Sequence, residues 1–166
     1  MANYSKDKVI KEITPLSEKD FFYIADRVKR EFTYPIHSHS DYELNFTENA
    51  AGVKRIVGDS VEVIGDYDLV LVSSKELEHV LEQHECKSPK IREITIQFSP
   101  DIFEDALENF DTEVLSMFYI QSRNNIAVFR AGDPLAGQLS RNMESAAEEF
   151  LAKEVCSVSF GRGMRR

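Results

Sequence analysis

Residues 37–43 read His37-Ser38-His39-Ser40-Asp41-Tyr42-Glu43. An extended chain alternates its side chains, so positions 37, 39 and 43 share one face if the strand stays regular through Ser40 and Asp41. A further histidine, His79, falls on a later candidate strand. Three imidazoles and one carboxylate suit a metal shell. Around one ion they leave positions open on six-coordinate Fe(II), Mn(II) or Ni(II), and they nearly fill tetrahedral Zn(II). The same residues also make an ordinary buried polar cluster, in which a glutamate accepts from an imidazole N–H.

Outward from this stretch, short apolar and β-branched runs alternate with Gly, Asp, Asn and Ser, without a helical period, from about residue 21 to 98. Candidate strands are Phe21 to Asp26, Phe32 to His37, Tyr42 to Thr47, Val53 to Val57, Val61 to Ile64, Asp68 to Val72, Leu77 to Glu82 and Ile91 to Phe98. Gly58-Asp59 is a hairpin signal, and Glu48-Asn49-Ala50-Ala51-Gly52 is a longer turn. Closely spaced strands of this kind predict a double-sheet jelly roll or barrel. Strand parity places Asn45 on the face of His39 and Glu43, and Leu77 and Leu81 on the face of His79. These three join the histidines and the glutamate as candidate pocket residues. Tyr34, Tyr42, Tyr67, Phe46 and Phe98 lie on the candidate strands and read mainly as sheet-face packing.

After Phe98 the punctuation turns helical. Ser99-Pro100-Asp101 offers a cap, a first-turn proline and an acid for a helix to about Asn109. Asp111 or Thr112 caps a second, with Val114, Leu115 and Phe118 as its stripe. The run NNIAVF reads as extended, and Asp133-Pro134 opens the longest helix, to about Glu154. Its Leu135, Leu139, Met143, Ala146, Phe150 and Leu151 recur every three or four residues. That stripe fits packing on the outside of the barrel or a dimer seam equally well. The closing SVSFGRGMRR has two glycines and no periodicity.

With 166 residues, 42% of them hydrophobic, the chain suits one compact domain with its own core. Asp and Glu number 29 against 20 Lys and Arg, a net charge of −9 that opposes contact with a phosphate backbone. Cys86 and Cys156 read as two free thiols, because the charged start MANYSKDKVIKEI lacks the apolar run of a secretory signal. No run is long and apolar enough for a membrane span, so a cytoplasmic protein is expected. His84-Glu85-Cys86 falls far short of a zinc signature and reads as exposed loop. There is no Gly-rich phosphate loop and no motif around a Ser or Cys nucleophile.

The pattern His-x-His-x3-Glu, then Gly52 after a short strand, then Asp68-Leu69-Val70-Leu71-Val72 followed by His79, resembles the two-part motif of the cupin superfamily. FTYPIHSHSDYELNF, VGDSVEVIGDYDLVLV and IREITIQFSPDIF together resemble the cupin-like N-terminal sensor domain of AraC-type transcription regulators, over about residues 10 to 152. One departure is Ser73-Ser74-Lys75-Glu76-Leu77-Glu78, which stands where the second motif usually carries a proline before its histidine.

The resemblance implies a mainly β fold with C-terminal helices. A cupin barrel (double-stranded β-helix, jelly roll) would span 1–98. A helical extension over 99–155 would pack on the barrel and dimerise, and 156–166 would be a flexible tail. It implies a ligand-sensing, non-enzymatic domain for an unknown small-molecule effector. The domain would be a homodimer and would reach DNA only through a C-terminal helix-turn-helix region that this chain lacks. The expected ligand pocket comprises His37, His39, Glu43, Asn45, Leu77, His79 and Leu81. No cofactor is expected. The alternative is a small metal-dependent cupin enzyme, a dioxygenase or isomerase, with His37, His39, Glu43 and His79 holding one divalent Zn, Ni, Fe or Mn. A closed-core interaction domain is a third reading.

Overall fold

The computed structural model describes residues 9–15, 22–72, 77–99, 126–129, 132 and 134–161. Ten strands and one helix appear there: β1 (Ile10–Lys11), β2 (Phe22–Lys29), β3 (His37–Ser38), β4 (Tyr42–Glu48), β5 (Lys54–Val57), β6 (Ser60–Val63), β7 (Tyr67–Val72), β8 (His79–Glu82), β9 (Ile91–Phe98), β10 (Ile126–Phe129) and α1 (Pro134–Gly161). They form two five-stranded sheets, β1-β3-β8-β5-β6 and β10-β7-β4-β9-β2. Every pairing is antiparallel except that of β1 with β3.

The second sheet shows why these sequences are strands. In β4, Leu44 and Phe46 alternate with Glu43, Asn45 and Thr47; in β9, Ile94 and Ile96 alternate with Glu93, Thr95 and Gln97. The register sets Glu43 opposite Gln97, Asn45 opposite Thr95 and Thr47 opposite Glu93, so the polar residues form one continuous face. The apolar face packs outward: Ile24, Phe46, Leu69 and Ile94 are buried in one cluster with Met143 and Ala147 of α1. Leu139, Ala146 and Phe150 pack against the same cluster. Arg92 fastens the helix over this face, donating from Nη1 to Glu144 Oε1 at 2.8 Å and from Nη2 to Asp26 Oδ2 at 2.8 Å.

Leu139, Met143, Ala146 and Phe150 of the α1 stripe are therefore packed on the chain's own sheet, which removes them as an argument for a dimer seam, while Leu151 is exposed. The helix also runs to Gly161, past the expected end near Glu154 and into the stretch expected to be a flexible tail. The two helices expected over 99–109 and after 111 lie outside the described residues. NNIAVF does contain a strand, β10, which extends the sheet beside β7.

Other boundaries differ for local reasons. Of the strand expected over 32–37, only His37 pairs, because Pro35 has no N–H to give to a ladder. β1 was not foreseen, since a two-residue strand has no readable period. Gly58-Asp59 joins β5 to β6 as a two-residue turn, with Val57 opposite Ser60 and Gly58 at φ +54°. Cys86 is not exposed loop: it is buried with Ala50, Val53, Ile64 and Ile91. Its backbone lies against Gly52, whose φ is +90°, and a Cβ there would sit 2.9 Å from Cys86 N. His84 is exposed as expected.

Candidate metal-ligating and ligand-binding cavity

The strand through 37–43 does not stay regular. β3 ends at Ser38 in one sheet and β4 begins at Tyr42 in the other, so the chain crosses between sheets at 39–41. His39 holds this corner, its Nδ1 2.8 Å from Asp41 O. Convergence of 37, 39 and 43 thus comes from a sheet crossing and not from strand parity. His79 on β8 stands directly opposite His37 on β3, and the two rings lie 4.1 Å apart between centroids.

His37, His39, Glu43 and His79 each offer a ligand atom, and these atoms lie within 4.8 Å of one another. The expected convergence is present. All three histidines place Nδ1 on a backbone carbonyl: His37 on Pro35 O at 2.9 Å, His39 on Asp41 O at 2.8 Å and His79 on Leu77 O at 2.8 Å. Fixing the proton on Nδ1 leaves Nε2 as the free donor atom, the arrangement that orients metal-ligating imidazoles. His39 Nε2 is 3.2 Å from Glu43 Oε2, and His79 Nε2 is 4.0 Å from the same oxygen. His79 is 6% exposed, and its buried Nε2 has no hydrogen-bond partner among the described residues. An unpartnered polar atom at such burial costs about 1–3 kcal/mol. A cation between the four residues would satisfy it, so the donor set fits one.

The electrostatics separate the two nearest histidines. Burial would raise the Glu43 carboxyl, but the hydrogen bond from His39 and the charges of His79, His39 and His37 hold it down to about 2. Burial would lower His39, and its bond to Glu43 overcomes that and raises it. Burial dominates at His79, which is lowered to about 4 and is neutral at pH 7. Without a cation, His39 Nε2 is bonded to Glu43, and His79 Nε2 faces the same carboxylate unpartnered among the described residues.

These groups sit at a cavity of about 350 Å³ between the sheets. Of the expected pocket residues, His37, Glu43, Asn45, His79 and Leu81 line it. His39, 1% exposed, lies behind Glu43 and does not reach the cavity wall. Leu77 is not in the wall either: it precedes β8, so strand parity does not extend to it, and it packs against Val57, Val70 and Val72. Tyr34 lines the cavity from a loop. Burial, with the charge and hydrogen bond of Glu12, raises its phenol.

The sequence reading missed much of the polar wall, namely Glu12, Lys29, Arg55, Glu93, Thr95 and Gln97. Asn45 Nδ2 donates to Thr95 Oγ1 at 3.1 Å and to Glu93 Oε1 at 3.3 Å, while Lys29 pairs with Glu93. Gln97 Nε2 donates to Glu43 Oε2 at 3.1 Å. Arg55 is 2% exposed and reaches across to Asp68 and Glu62. The alternation of β9 did carry a signal for Glu93, Thr95 and Gln97, but which face turns inward is set by α1. Glu12 had no signal.

No family model matches this chain, and no curated protein matches it. Among solved structures it is similar to ToxT of Vibrio cholerae O395 bound to (E)-4-(8-methylnaphthalen-1-yl)but-3-enoic acid, with a TM-score of 0.50 and 15% identity over 86% of this chain. It is also similar to a P21 form of Vibrio cholerae ToxT, with a TM-score of 0.49 and 13% identity over 74% of this chain. The chain spans 56% and 47% of those two structures, about half their length. At this identity the likeness to the acid-bound structure is one of fold: two mainly antiparallel sheets followed by a helix.

Proposed function

We propose that this chain is the ligand-sensing domain of a transcription regulator, with its effector held in the cavity between the sheets. The observation that carries the reading is the polar inner face of β4 and β9. Their Phe46 and Ile94 are turned outward under α1, and Glu43, Asn45, Glu93, Thr95 and Gln97 are turned into the lumen, beside Val70 and Val72 of β7. A barrel built only as a closed core would bury the apolar face inside, because enclosing polar groups without partners is costly. Support also comes from the resemblance to AraC-type sensor domains and from the fold shared with ToxT, an AraC-family regulator with an acid bound in one structure. Polar groups of β4 and β9 share the lumen with Ile56, Val57, Val70 and Val72, so the effector is a small molecule with polar and apolar parts, with carboxylic acids and polyols as the first classes to try. It shifts the regulator's state only by binding one arrangement of barrel and helix better than another. The charge of −9 disfavours contact of this chain with DNA.

Thermal-shift screening of small acids and polyols, followed by amide chemical-shift mapping of each stabilising compound, tests this. Perturbations centred on β4 and β9 are expected. Perturbations confined to the outer face at Val61 and Val63 would refute it.

A second reading rests on the unpartnered His79 Nε2. His37, His39, Glu43 and His79 would hold one divalent cation, which supplies Lewis acidity when bound. The cation serves the effector site, or it serves a small cupin enzyme. Metal analysis of the purified protein tests occupancy, and turnover of a bound compound would favour the enzyme.

A further inference from the structure

The four-residue cluster does not account for every donor at that end of the cavity. β1 is parallel to β3: Ile10 N donates to Ile36 O at 3.0 Å and Glu12 N to Ser38 O at 2.9 Å. Glu12 directs its side chain into the cavity, with Oε2 3.5 Å from His37 Nε2. Because His37 Nδ1 faces Pro35 O, Nε2 is the ring nitrogen turned toward the Glu12 carboxylate, at a separation that two ligand atoms of one ion can take. Gln97 Nε2 makes the same point from the other side: it is 3.4 Å from Glu12 Oε2 and 3.1 Å from Glu43 Oε2, so one amide group spans both carboxylates. Two carboxylates and Nε2 of His37 and His79 face one space, and such a convergence of donor atoms fits a cation.

We propose that Glu12 is a fifth donor to a cation held by His37, His39, Glu43 and His79, so that filling the site fastens the segment of strand β1 to the cavity wall. This rests on the cation reading given above. It gives that site a consequence for the order of this segment, because the only strand pairing of β1 among the described residues is with the two-residue strand β3 at the sheet edge. Gln97 acts as a positioning residue that holds the two carboxylates toward each other.

The test uses the whole chain, freed of metal with a chelator and titrated with Co(II), for wild type, Glu12→Gln and His79→Ala. Visible absorption reports affinity and coordination, and hydrogen exchange reports protection of segment 9–15. The expected result is one equivalent bound by wild type, with rising protection of 9–15. Glu12→Gln should bind roughly tenfold or more weakly, with an altered absorption band and no gain in protection. His79→Ala should lose binding. If Glu12→Gln matches wild type in affinity and spectrum, and exchange at 9–15 in the wild type does not respond to Co(II), the role of Glu12 is overturned while the four-residue site stands. If wild type binds no Co(II), both fall. The exchange response of the wild type needs no variant, so a poorly folded Glu12→Gln would not shield the proposal.

Discussion

Replacing Met143 by alanine tests how the molecule is built, because Met143 is the residue at which the helix stripe meets the barrel. Its side chain is 3% exposed and packed among Ile24, Phe46, Leu69 and Ile94, with Ala147, 0% exposed, one turn further on. Truncation to Ala removes three heavy atoms beyond Cβ. At about 0.8 kcal/mol per buried methylene-sized group the transfer loss is roughly 2.4 kcal/mol. A cavity contribution is added, and Met→Ala changes in cores fall at about 2–5 kcal/mol in all. We expect about 3 kcal/mol. With a urea m-value of about 1–3 kcal/mol/M, the midpoint should fall by roughly 1–3 M with m unchanged. Leu151→Ala, at a position 41% exposed, is the control and should cost under about 1 kcal/mol. Urea unfolding of both variants over a hundredfold range of protein concentration is the assay. A Met143→Ala loss under about 1 kcal/mol, or a wild-type midpoint that rises with concentration while Met143→Ala's does not, would place the stripe between two chains and refute the packing described here.

Gly52→Ala should destabilise by about 1–3 kcal/mol in the same assay, since the backbone is at φ +90° and the new Cβ would press on the Cys86 backbone at 2.9 Å. In chelator-treated protein, stability should fall as pH drops from about 6.5 to about 4, because unfolded His79 takes up a proton that the folded chain refuses. It should fall further from about 4.5 toward about 2, where Glu43 loses the stabilisation its depressed carboxyl gives above that range. His39 acts in the opposite sense: its stabilisation is present below the unfolded value and is lost as pH rises through the raised folded one. His79→Gln should flatten the slope between pH 4 and 6.5 in thermal melts, and an unchanged slope would contradict the assignment. Zn(II) or Co(II) at a hundred times its dissociation constant should stabilise the wild type by about 2.7 kcal/mol and leave His79→Ala unmoved.

Much of the fold was legible because strands with one solvated or polar face carry a period of two. Glu43-Leu44-Asn45-Phe46-Thr47 and Ile91 to Phe98 declare themselves, and the Ile91–Phe98 strand has the expected ends. The period does not say which face turns inward. Apolar residues were available to fill the lumen, and only the helix that covers Phe46 and Ile94 decides that Asn45 and Thr95 line it instead. The metal-type residues were legible as chemical types at a spacing. The reason for their convergence was not, because the crossing at His39 to Asp41 breaks the alternation on which the spacing argument stood. Glu12 reaches the site by a parallel pairing between segments far apart in sequence, and nothing local to Glu12 encodes it.

The central claim is that the polar lumen between the sheets is the ligand site. The most direct measurement is calorimetric titration of one stabilising compound into wild type and into Thr95→Leu, which places a larger apolar side chain on the buried wall beside Asn45. The account predicts saturable binding by the wild type and at least a tenfold loss in the variant, with Thr95→Leu still folded by circular dichroism. Equal affinity in both proteins would contradict it, because the compound would then be bound outside the barrel.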